Sequence, residues 1–182
     1  MLRLLAAWLA VLPILAMAGC GIESTYDIGQ KLAAQTPLLP GTYKGESAEA
    51  KPAKITRDGD GYAMELTDDK GNVARARIRF FKIAEFDGYV LQFIDPDKPG
   101  KFLYLYTRVT PAGIEILDEN IDNADLPPDL ASRFDETKAA PGQTLFIKAR
   151  TLKRGEDVML VLQALARGKL PLTHMDYWKR QE

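Results

Sequence analysis

Three arginines at every second position, Arg75, Arg77 and Arg79, form the most chemically suggestive spacing in this chain. On a strand they share one face. A guanidinium row binds phosphates or carboxylates bidentately, so the row is a candidate face for an anionic partner. It equally suits a solvated strand face paired with cross-strand neighbours such as Glu65 or Gln92. A second group is acidic: Asp118, Glu119, Asp122, Asp125 and Asp129. Oxygen ligands of this kind hold calcium, but the spacing is not that of an EF-hand loop, and a solvated loop leading into a helix is expected instead. His174 is the only histidine, with Asp176 two residues on. One His and one Cys cannot build a multi-His or paired-Cys metal centre. No serine stands in a Gly-x-Ser-x-Gly setting, and no glycine-rich phosphate loop joins a strand to a helix. The residues therefore point to no catalytic group, metal or cofactor. Aromatic side chains at Tyr62, Tyr89, Phe93, Tyr104 and Tyr106 are candidates for lining an apolar cavity, or for filling a core.

The elements that position these groups are mainly strands. Between Gly41 and Leu117 turn residues recur every ten to fifteen positions: Asp58-Gly59-Asp60-Gly61, Asp68 to Asn72, Asp87-Gly88, Asp95 to Gly100 and Pro111-Ala112-Gly113. Between them, β-branched and aromatic runs predict strands near 41–46, 52–57, 61–67, 73–84, 88–94, 101–109 and 113–118. Short connections imply an antiparallel meander. At 73–84 Ala74, Ala76, Ile78 and Phe80 alternate with the arginines, one face buried and one wet. From Phe102 to Tyr106 alternation disappears, which requires cover on both faces. Pro127 to Phe134 reads as a short helix with Pro in its first turn. Residues 143–152 read as a further strand. Glu156 and Asp157 open a helix over Val158 to Ala166 that buries Val158, Val161, Leu162 and Leu165, with a hairpin strand as the competing reading. Tyr177-Trp178-Lys179-Arg180 makes an amphipathic terminal piece, for a membrane surface, a partner or the domain itself. The fold class expected is α+β, mainly β: an antiparallel meander curled into an open or partly closed barrel, with two short helices near the C-terminal half.

The N-terminus is an address. Arg3 is the only charge before Glu23, and an apolar run of about fifteen residues ends at Met17-Ala18-Gly19-Cys20. That is short of the roughly 20 residues a membrane-crossing helix needs. A positive start, a short apolar stretch and a small-residue end are the parts of a secretory signal. Here the chain resembles the bacterial lipoprotein signal peptide, with Met17 where Leu is commonest in its lipobox. The resemblance covers residues 1–20. It implies cleavage between Gly19 and Cys20, diacylglycerol on the Cys20 sulfur and acylation of its new amino group, several chains making a stable anchor. Gly21 replaces the Asp that retains enteric lipoproteins in the inner membrane, so the outer membrane, facing the periplasm, is implied. Cys20 is the only cysteine, so no disulfide forms within one chain. Residues 21–39 read as a tether, leaving one globular domain over 40–182. Gly41-Thr42-Tyr43 is similar to the Gly-x-Trp start of lipocalins but lacks the Trp, and nothing is assigned from it.

Net charge is −1, which gives no field for nucleic acid. Two functions are expected: a non-catalytic, membrane-anchored accessory with an envelope protein partner, or a carrier holding a lipid or other small apolar ligand in the curved sheet.

Overall fold

A computed structural model describes residues 21–47, 50–67, 71–118, 126–135, 150–167 and 172–181. The alternating runs form strands β1 (Ile22–Ser24), β2 (Gly41–Lys44), β3 (Ala53–Asp58), β4 (Gly61–Thr67), β5 (Val73–Phe81), β6 (Tyr89–Ile94), β7 (Phe102–Thr110), β8 (Gly113–Asp118), β9 (Arg150–Thr151) and β10 (Thr173–Gln181). Two helices come late, α1 (Pro128–Ala131) and α2 (Val158–Arg167). Strands β2 to β8 pair in sequence order, and β10 lies between β8 and β2. Pairing of β6 with β7 completes the circuit. The result is a closed, eight-stranded antiparallel barrel. Closure sharpens the open or partly closed barrel expected from sequence, and the residues that close it are the terminal piece from Thr173 onward. The barrel strands thereby have no unpaired edge to manage.

Two cores share the wall. Inside lie Tyr43, Ile55, Tyr62, Met64, Ile78, Phe80, Leu91, Phe93, Leu105, Ile114 and Ile116. Outside β5 to β8 a second layer packs Val90, Tyr104, Tyr106 and Leu117 against Ile22, Ile28 and α2. Strand β7 separates the two, which is why its apolar residues are continuous. Helix α2 takes the helical alternative rather than the hairpin strand. It follows a 3-10 turn at Gly155–Asp157 and buries Val158, Val161, Leu162 and Leu165, the face read from the sequence.

The tether reading of 21–39 is corrected. Strand β1 pairs with β7 on one edge and β9 on the other, and Ile22, Ser24, Ile28 and Leu38 are all buried. Its polar composition suggested slack, but its sparse large apolar residues are the ones that dock. From β1 the segment turns through a 3-10 helix at Ile28–Gln30, bridges Gln35 to Phe80, and brings Leu38 onto the end of the barrel. Of the strand expected at 143–152, only residues 150–152 lie within the described residues: Arg150–Thr151 is a strand, and Leu152 makes an isolated antiparallel bridge to Phe134.

Candidate functional site

The three arginines share the outer face of β5 but have graded surroundings. Arg75 is 70% exposed and pairs with Glu65 at 2.9 Å. Arg77 is 40% exposed and pairs with Asp60 at 2.6 Å and Asp58 at 3.4 Å. Arg79 is 11% exposed and pairs with Asp27 at 2.6 Å and Asp60 at 3.5 Å, while its Nε donates to Gln92 Oε1 at 2.8 Å. Glu65 and Gln92 are thus the cross-strand partners that the pleat places opposite. Every arginine of the row already holds a carboxylate.

Arg79 opens onto a polar network that sequence reasoning missed. Asp27 Oδ1 accepts from Arg79, from Gln92 Nε2 at 3.0 Å and from the Gly29 N–H at 2.8 Å, which caps the 3-10 turn. Gln92 Nε2 also donates to Tyr104 Oη at 2.7 Å, and that hydroxyl donates to the Tyr26 carbonyl at 2.7 Å. Burial alone would raise the Asp27 carboxyl, but the hydrogen bonds from Arg79, Gln92 and Gly29 outweigh it, and its pKa lies below the usual carboxylate value. The Tyr104 hydroxyl is pushed up to about 12, chiefly by burial. This network fastens the N-terminal segment to the barrel wall. Two signals for it stand in the sequence: Asp27 two residues before a glycine, an Asx-turn pattern, and Gln92 as the single polar residue in Tyr89–Ile94.

The candidate cavity aromatics divide by strand parity. Tyr62 and Phe93 point into the barrel, and Tyr89 packs on the same cluster. Tyr104 and Tyr106 point outward, so they line no common space with the others. The inner rings meet edge to face, Tyr62 on Phe80 with centroids 5.8 Å apart and Phe80 on Tyr89 at 6.1 Å. Tyr62 Oη donates to the Leu38 carbonyl at 2.8 Å and accepts from the Leu38 N–H at 2.9 Å, which seats the N-terminal segment on the barrel end. Outside, Tyr106 Oη donates to the Leu162 carbonyl of α2 at 2.6 Å.

His174 and Asp176 do not face each other. A register shift between them separates the pair. The imidazole lies between Glu46, 3.0 Å from Nε2, and Glu115, 3.3 Å from Nδ1. The Glu46 hydrogen bond raises its pKa, and Glu115 adds to the rise. Asp176 is buried and accepts from the Glu46 N–H, the Tyr177 N–H and Trp178 Nε1, at 3.1, 2.9 and 2.9 Å. It fixes the bulge and the start of the loop after β2. Trp178 packs on the inner core as part of β10. Tyr177-Trp178-Lys179-Arg180 is a wall strand rather than a tail.

Of the acidic group, Glu119, Asp122 and Asp125 lie outside the described residues, as do Gly19 and Cys20. Among the described residues no group of three or more His, Cys, Asp or Glu is placed to hold a metal ion, and no helix is long and apolar enough to cross a membrane.

Fold and site define a closed antiparallel barrel with a helical layer on one side and a charge-paired arginine face beside it. No protein-family model, curated protein or solved structure matches the chain.

Proposed function

We propose that the chain is a lipoprotein, anchored through Cys20 in the outer membrane and facing the periplasm, that acts as a non-catalytic binding or envelope-assembly accessory. The anchor rests on the likeness of Met17-Ala18-Gly19-Cys20 to a lipobox. The observation that carries the accessory role is the barrel interior. An eight-stranded barrel is just wide enough either to be filled by side chains or to hold one small ligand. Here Tyr62, Phe80, Met64, Ile78 and Leu91 are each under 5% exposed and belong to one contiguous cluster. Side chains in mutual contact leave the inner space to the protein itself, which favours binding by the outer surface over carriage of an apolar ligand.

Native mass spectrometry of the full mature protein, extracted from membranes in detergent, tests the choice. A bare lipoprotein mass is expected, with crosslinking in intact cells then capturing an envelope protein. A reproducible adduct that departs on denaturation overturns the accessory reading in favour of the carrier.

A further inference from the structure

Docking of residues 21–39 onto the barrel removes the slack between Cys20 and the folded domain. We propose that the mature protein is held flush against the bilayer, with the wall around β1 and β9 as its membrane-facing side. The proposal rests on the lipoprotein reading of Cys20.

Chain geometry sets the distance. An extended chain spans at most about 3.6 Å per residue. Ile22 is already fixed in the sheet, opposite Tyr104 on one edge and Arg150 on the other. An anchor at position 20 would therefore be tethered to a rigid strand by at most about 7 Å of chain. A free linker from 20 to 39 would span on the order of 60 Å and decouple domain from membrane. Gly21 contributes no slack either. Its carbonyl accepts from the Arg150 N–H at 2.9 Å, and a Cβ there would run into the Leu103 side chain.

Several contacts keep β1 in place. Ile22 and Ile28 are fully buried in the outer core. Ser24 Oγ donates to the Gly155 carbonyl at 3.0 Å. Asp27 is tied to Arg79 and Gln92. Peeling β1 off would bare both isoleucines and strand these polar groups together, so the acyl chains pull on the barrel rather than on a spacer.

Acylated full-length protein in phosphatidylethanolamine–phosphatidylglycerol vesicles tests this, with a short-range nitroxide quencher on the headgroups. Cys20 is blocked by its thioether, so a fluorophore attaches only to an introduced thiol. Thr151→Cys places it on β9, register partner of Glu23 and far from Cys20 in sequence. Thr56→Cys places it on β3, four strands around the eight-stranded ring from β7. Quenching at 151 is expected to exceed that at 56 severalfold, and insertion of twenty Gly/Ser residues between Cys20 and Gly21 is expected to erase the difference. Should Thr151→Cys not fold, Lys101→Cys serves, since Lys101 bonds Glu23 at 3.1 Å and is exposed. Equal quenching at the two sites in acylated protein overturns the flush arrangement alone. Mass spectrometry showing no acyl group on Cys20 overturns this inference and the lipoprotein reading together.

Discussion

At the residue scale, position along one strand face decides what an arginine is worth. Arg75 and Arg77 pair in solvent, where ion pairs contribute about 0–1 kcal/mol. Arg79 is enclosed, and its loss leaves Asp27 and Gln92 short of partners in a poorly hydrated place. Arg79→Met is expected to cost about 2 kcal/mol and Arg77→Met under about 1 kcal/mol, read from denaturant melts; equal costs would contradict the graded face. His174 gives a pH signature. Its pKa is raised above 6.5 in the folded state, so its pairing with Glu46 and Glu115 stabilises fully below that value and is lost as pH rises through the folded pKa. His174→Asn should therefore lower the melting temperature at pH 5.5 and leave it nearly unchanged at pH 8.5. A loss of equal size at both pH values would mean that the imidazole acts by packing alone. The period-two placement of the arginines was legible in sequence, down to Glu65 and Gln92 as partners. Asp27 was not, because the contact joins positions 27 and 79 and only the fold brings them together. Gly21 likewise acquires a second meaning: a position read as a sorting signal is also one where a side chain collides with Leu103.

At the scale of elements, strands β2 to β8 follow the turn chemistry closely, since each connection is short and each run is bounded by Gly, Asp or Pro. The continuous apolar stretch of β7 announced two-sided cover, and the inner core and helical layer supply it. Helix α2 settles onto that wall by the face its periodicity marked. Leu162→Ala should cost about 3 kcal/mol, while Leu160→Ala, at 43% exposure on the same helix, should cost little; similar costs in thermal melts would contradict the assigned face. Two elements were hidden. Strand β1 is three residues long, with only Ile22 apolar, and has no period to detect. Strand β10 carries a register shift after His174, which breaks its alternation and disguised a barrel strand as an amphipathic end. Parity, once the strands are aligned, also divides the aromatics: Tyr104 and Tyr106 leave the inner set for the outer core.

At the scale of the molecule, the segments flanking the β2–β8 meander do different work. β10 closes the ring between β8 and β2, and the segment after Cys20 straps the wall and seats Leu38 on Tyr62. On the proposed function, recognition would fall to the outer surface of the barrel and placement to the Cys20 anchor. The central claim is that placement. Its most direct measurement is the intact mass and sedimentation of the protein from fractionated cells, wild type beside Cys20→Ser. The account predicts a wild-type chain that begins at Cys20, carries diacylglycerol and an amide-linked acyl chain, and pellets with membranes, while Cys20→Ser carries no lipid and leaves the pellet. A wild-type chain without lipid, or a Cys20→Ser variant that still pellets, would contradict it.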